Sequence, residues 1–172
     1  MSGSGVEKFI NSVSFFDAFN EVEKHKFLSD QTCFVKFKEN DIVFKQGEQG
    51  DSLFLVLQGQ VGLYRLGNIK SVEGRVSLKK EEEKHITNLK SGVVFGEVSM
   101  LTNCKRNVTA RIFSKEVVLM KISKKLIDNL NHLTQIKFHR QLLLSLAIHL
   151  DNMNSQFIDL KYEHDEYVKS HS

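Results

Sequence analysis

The sequence predicts an α+β fold, mainly β: helices, then an antiparallel sandwich or barrel, then helices again. Three observations predict it. Apolar residues recur at helical intervals over residues 6–30. From Gln31 they give way to short runs rich in valine, isoleucine and phenylalanine, set between glycine, asparagine and aspartate turns. After Ser123 the helical period returns and continues to Tyr167.

In chain order, Phe9, Ile10 and Val13, then Phe16 and Phe19, then Val22 and Phe27 are spaced for two short helices, and Asn20 offers the second a side-chain cap. Strands are expected at 34–37 and 42–44, joined by "KEND". "KQGEQGD" then carries two glycines into the run 53–57, and Gly59 separates that run from 61–64. This alternation of runs and turns is that of antiparallel strands. Residues 67–84 interrupt it with the charged "LKKEEEK", read as a solvated hairpin loop. Strand spacing resumes at 85–89 and 93–95, and the last strands fall at 109–113 and 117–122.

Ser123 can cap a helix holding Leu126, Ile127 and Leu130, and a longer helix begins near Leu133. Along it Ile136, Leu143, Leu150 and Phe157 form a row at seven-residue intervals, and Leu146, Met153, Leu160 and Tyr167 form a second row offset by three. Such rows suit either packing on the chain's own domain or a homodimeric coiled coil, with His164 a polar break in the seam. The expected organisation is a flexible leader over 1–8, a β unit with its flanking helices over 9–132, and the long helix and tail over 133–172.

Composition removes several function classes. The chain has 172 residues, 41% hydrophobic and 26% charged, enough for one domain with a full core. No apolar run approaches the roughly 20 residues that cross a bilayer, and no secretory signal opens the sequence, so a cytoplasmic protein is expected. Cys33 and Cys104 lie far apart with no C-x-x-C spacing, which supports neither a disulfide framework nor a zinc site. A net charge of +3, with acidic residues among the basic ones, does not suggest nucleic-acid binding. Nucleophile–base motifs, H-E-x-x-H and a Walker lysine loop are absent, so an enzyme is not expected and no metal is called for.

The chemistry gathers in "VFGEVSMLTNCKRNVTA", Val94 to Ala110. Gly96 has no side chain and lets a ligand approach the backbone, while residues 97–101 can form a helical turn whose free N–H groups face an anion. Arg106 could return to the same phosphate, leaving Glu97 to accept from sugar hydroxyls. The competing reading is an Arg106–Glu97 salt bridge that ties down a turn. The spacing alone does not choose between them.

At these residues the chain resembles the cyclic nucleotide-binding domains of kinase regulatory subunits, ion channels and bacterial transcription regulators. Their phosphate-binding cassette, approximately F-G-E-[LIV]-[AS]-[LM]-[LM]-x-x-x-P-R-x-A-[TS], is matched by Phe95, Gly96, Glu97, Val98, Ser99, Met100 and Leu101, then Lys105, Arg106, Asn107, Val108 and Thr109. Gly47, Gly50, Asp51, Gly59 and Gly92 also fall where the family's pattern places them, and the likeness runs from about Phe9 to about Leu150.

The resemblance implies an eight-stranded β-roll of jelly-roll type around cAMP or cGMP. It places the phosphate on Arg106 and on the N–H groups near Gly96 to Ser99, and the ribose 2′-hydroxyl on Glu97. Asn107 is neither the alanine common in cAMP modules nor the threonine or serine common in cGMP modules, and Thr87 stands nearest to the arginine that cGMP-selective modules carry, so the base is left open. Lys105 replaces the usual proline and Val108 a small alanine. The family's movers are its C-terminal helices: Leu126 or Ile127 would serve as the hinge contact, with Phe157, Leu160 or Tyr162 covering the base. The implied partners are the nucleotide and an effector, whether kinase, channel or exchange factor. The competing function is the same fold acting as a scaffold without ligand. DNA binding is disfavoured because the stretch after Leu150 is too short and acidic for a helix-turn-helix.

Overall fold

The computed structural model describes residues 10–29, 31–66 and 83–170. The expected leader over 1–8 and nearly all of the charged stretch over 67–84 lie outside them. Eight strands form two four-stranded antiparallel sheets, as expected for a β-roll: β1 (Phe34–Lys38), β2 (Ile42–Phe44), β3 (Ser52–Gln58), β4 (Val61–Leu66), β5 (Glu83–Leu89), β6 (Val94–Phe95), β7 (Thr109–Ile112) and β8 (Glu116–Ser123). One sheet runs β1-β8-β3-β6 and the other β2-β7-β4-β5, so the chain crosses repeatedly between sheets.

Alternation explains why β3 and β8 read as nearly continuous apolar runs. Leu53, Leu55 and Leu57 on β3, with Val118, Met120 and Ile122 on β8, face a core built with the helices. Phe54, Val56, Val117 and Leu119 face the opposite way, into the roll, with Phe44, Val61, Leu89, Phe95, Ala110 and Ile112. A strand buried on both faces must be apolar at every position, as β3 is from Leu53 to Leu57.

On the helical side, a helical turn reaching Asn11 leads into a 3₁₀ turn at Ser14–Phe16 and then α1 (Glu21–Leu28). The Asn20 cap forms: its side chain accepts from the Glu23 N–H, and the Glu23 carboxylate accepts from the Asn20 N–H, both at 2.9 Å. Phe15, Phe16, Phe19 and Phe27 make edge and stacked ring contacts with one another and with Phe138. Phe138 belongs to the last helix, α4 (His132–Ser170), so these rings clamp its first turns to the body.

Two shorter helices complete the fold, α2 (Glu97–Thr102) between β6 and β7 and α3 (Lys124–Asp128) after β8. Ser123 caps α3 by accepting from the Leu126 N–H at 3.2 Å. Among the described residues no helix is long and apolar enough to cross a membrane.

Candidate functional site

Strand β6 ends at Phe95, Gly96 turns the chain with φ +78°, and α2 begins at Glu97. Asn103, with φ +55°, ends α2 and starts the return to Arg106. The backbone of Arg106 is fixed to the turn after β2 in both directions: its N–H donates to the Glu48 carbonyl at 2.8 Å, and its carbonyl accepts from the Gly47 N–H at 2.7 Å. Two segments more than fifty residues apart in sequence thus meet at the base of the arginine side chain.

Arg106 is only 5% exposed. Nη1 donates to the Gly96 carbonyl and to Ser99 Oγ, each at 2.6 Å, and Nη2 donates to the Ser52 carbonyl at 2.7 Å. The guanidinium lies 4.2 Å from the centre of the Phe44 ring and 5.9 Å from that of Phe54. Nε is buried without a hydrogen-bond partner.

Its neighbours leave room for it by lacking side chains. A Cβ on Gly50 would come 2.6 Å from Cζ and 2.5 Å from Ser99 Oγ, and a Cβ on Gly96 would come 2.7 Å from Nη1. The space expected to admit a ligand at Gly96 therefore receives the arginine.

No ion pair joins Arg106 to Glu97 among the described residues, so the salt bridge that competed with the phosphate reading does not form. Burial pushes the Arg106 proton affinity down, and the carboxylates of Asp51, Glu48 and Glu97 act against that from a distance. Burial likewise raises the Glu97 pKa, against its own backbone N–H, His149 and Arg106, which favour the charged form. The site holds a desolvated cation and a desolvated carboxylate that do not neutralise each other by contact.

A family profile described as cyclic nucleotide-binding domain matches residues 34–131, more than half of the chain. The chain belongs to the cyclic nucleotide-binding domain family. It is 33% identical over 110 residues to a cGMP-dependent protein kinase of Plasmodium berghei (strain Anka), covering 63% of this chain and 10% of the kinase. It is 25% identical over 109 residues to a cAMP-dependent protein kinase regulatory subunit of Blastocladiella emersonii, covering 63% of this chain and 24% of that protein. The chain thus spans a quarter or less of the length of these two relatives. Among solved structures, a cyclic nucleotide-binding domain from Methylobacillus flagellatus KT shares the fold, with a TM-score of 0.67 at 17% identity over 88% of this chain and 79% of that one.

Within the cyclic nucleotide-binding domain the remaining expected site residues differ in what they face. Phe95 lies inside the roll, its ring 5.5 Å from Phe54 and 5.8 Å from Phe44. Ser99 and Thr109 are buried but serve the protein itself: Ser99 Oγ donates to the Gly96 carbonyl at 3.1 Å, and Thr109 Oγ1 accepts from the Gln46 N–H at 3.1 Å. Thr87 is half-buried opposite Leu63, on the same face of β5 as the interior Leu89. Val108 packs against the roll interior, Asn107 is exposed, and Val98 points outward at 43% exposure.

The lid candidates require a correction. Phe157, Leu160 and Tyr162 are 64–70% exposed on the outer part of α4, where every residue from 151 to 170 is exposed, so none covers the site. The part of α4 that approaches the cassette lies earlier. Gln141, Ser145, His149 and Asn152 line a cleft of about 320 Å³ with Ser91 and Gly92, just before β6. Of the two hinge candidates, Ile127 lies in one buried cluster with Met100 of α2, and Leu126 packs partly buried against that cluster. Sequence reasoning missed Phe44, Ser52 and His149, which reach the cassette from the opposite sheet, from the strand paired with β6 and from α4, and so carry no local signal in the sequence.

Proposed function

We propose that this chain is a non-catalytic sensor of a cyclic purine mononucleotide, cAMP or cGMP, that couples binding to movement of its C-terminal helices. One observation carries the reading: Arg106 is 5% exposed, with Nε lacking a partner and no carboxylate in contact among the described residues. Carbonyl and hydroxyl acceptors satisfy hydrogens but do not remove a charge, and an unneutralised buried cation is costly. A cyclic phosphodiester supplies one negative charge and oxygen acceptors, which is what Arg106 lacks. The desolvated carboxylate of Glu97 suits a sugar hydroxyl, which donates a hydrogen bond without a counter-charge. Thr87 and Asn107 stand where the base would be chosen.

Coupling has a physical route. Met100 on α2 shares a cluster with Ile127, Leu130, Phe138 and Leu142, so a shift of α2 on ligand binding presses on α3 and the root of α4. On this reading residues 9–132 form the sensor and residues 133–172 its output helix. The host effector would be a kinase, channel or exchange factor. The test is a thermal-shift titration with cAMP, cGMP and the linear monophosphates, since a ligand specific to the folded state raises its apparent stability. Stabilisation by a cyclic form that Arg106→Ala or Arg106→Glu weakens by about two orders of magnitude or more is expected. No response to either cyclic nucleotide would leave the scaffold reading in its place.

A further inference from the structure

Glu97 and Met100 lie one turn apart on α2, and Met100 shares a buried cluster with Phe138 and Leu142 of α4. Leu142 and His149 lie two turns apart on α4, with Ser145 between them on the same side. The α4 face that joins this cluster therefore runs on to His149, and the α2 face that joins it runs back to Glu97. His149 is half-buried in the cleft of about 320 Å³ between α4, the turn before β6 and the 3₁₀ turn, and it is the only ionisable side chain among the described residues that line the cleft. Lys90 and Asp151, close to it in the lining segments, are exposed and stand outside the cleft. The charged groups that His149 meets are those of the cassette: Glu97, whose carboxylate it favours in the charged form, and Arg106, which acts on the same carboxylate.

Occupation of the site changes the balance of charge. A phosphodiester seated on Arg106 takes up the positive charge of the guanidinium. The Glu97 carboxylate, already desolvated, is then left with a sugar hydroxyl, which hydrogen-bonds it without neutralising it. A cation from α4 is what remains to balance it. Resting on the reading of Arg106 and Glu97 as a nucleotide site, we infer that His149 makes that site proton-dependent: the nucleotide is bound together with a proton on the His149 imidazole, and the imidazolium draws α4 onto Glu97. Histidine is the side chain whose charge changes between about pH 5 and 8. The coupling is reciprocal, so a nucleotide that favours the imidazolium binds more tightly where the imidazolium is present. Affinity therefore rises as pH falls through the histidine range. Protonation of Glu97 acts with the opposite sign, because a neutral carboxyl is the poorer acceptor for a sugar hydroxyl, and the direction of the change tells the two groups apart.

Calorimetric titration of the full chain with cAMP and with cGMP, at about pH 8 and about pH 6 and in buffers of different ionisation enthalpy, tests it. Wild type should bind whichever nucleotide it accepts about fivefold or more tightly at the lower pH, and should take up protons from the buffer on binding. His149→Gln keeps a polar side chain of similar reach without the charge. It should bind equally at both pH values, at the weaker of the two wild-type levels, and take up no proton. The proton count is read on wild type alone, so it stands whether or not the variant folds. Wild-type binding that is indifferent to pH and takes up no proton, or a pH dependence that survives unchanged in folded His149→Gln, overturns this inference and leaves the nucleotide reading in place. Binding of neither nucleotide at either pH overturns both.

Discussion

Gly50 and Arg106 claim the same volume: a Cβ on the glycine would sit 2.6 Å from the guanidinium carbon and 2.6 Å from Nε. The cation is held by an absence in the turn before β3 as much as by its hydrogen bonds. Gly50→Ala should therefore displace the guanidinium and weaken nucleotide binding at least tenfold, on the order of 1.4 kcal/mol or more. Calorimetry beside circular dichroism checks it; a folded variant with wild-type affinity would contradict the shared-volume account.

Arg106 also holds the protein together. Replacing it by alanine removes the donors to the Gly96 and Ser52 carbonyls and to Ser99 Oγ. Leaving buried acceptors unpaired costs about 1–3 kcal/mol. Arg106→Ala should thus lower the ligand-free unfolding free energy in urea by about that much, in addition to its loss of binding.

Glu97 should trade stability for recognition. Desolvation raises its pKa in the folded protein above the ordinary 4.5, so its charged form is penalised by folding. That penalty is absent below about pH 4.5 and grows as pH rises through the folded-state value. Glu97→Gln should therefore stabilise the ligand-free protein at neutral pH, with the gain fading toward acid pH, while nucleotide affinity falls. Denaturation across pH, paired with binding at neutral pH, checks both halves; a variant less stable than wild type at neutral pH would refute the first.

The opposite sign applies at Glu23, which joins α1 to α4. Its carboxylate accepts from Lys137 Nζ at 2.8 and 2.9 Å, from Thr134 Oγ1 at 3.2 Å and from the Asn20 N–H at 2.9 Å. Lys137 foremost, then the Asn20 N–H, lower its pKa below 4.5. This stability is present above the unfolded-state value and is lost as pH falls through the folded one. Glu23→Gln should cost about 1–3 kcal/mol at neutral pH. The deficit should close on acidification; one that persists unchanged at strongly acid pH would mean that charge is not its source.

Much of the fold was legible in the sequence because its signals are local. Asn20 and Ser123 announce helix starts through their own side chains, and the unbroken apolar run of β3 shows a strand covered on both faces. The nine-residue interval from Glu97 to Arg106 was equally legible. Their lack of contact was not, since it depends on Ser52, Phe44 and Gly50 arriving from more than fifty residues away. The misplacement of Phe157, Leu160 and Tyr162 over the base has the same origin. An apolar side chain on a long helix shows that it seeks cover, and its position in the sequence does not say whether that cover comes from its own domain or from another molecule.

Strands β3 and β8 serve as a wall common to two rooms, one furnished with the rings beside Arg106 and the other with the phenylalanines that grip α4. Neither room can melt while its neighbour stands. The amides of these two strands should be the last in the protein to take up deuterium, and the whole body should lose its structure in a single cooperative event.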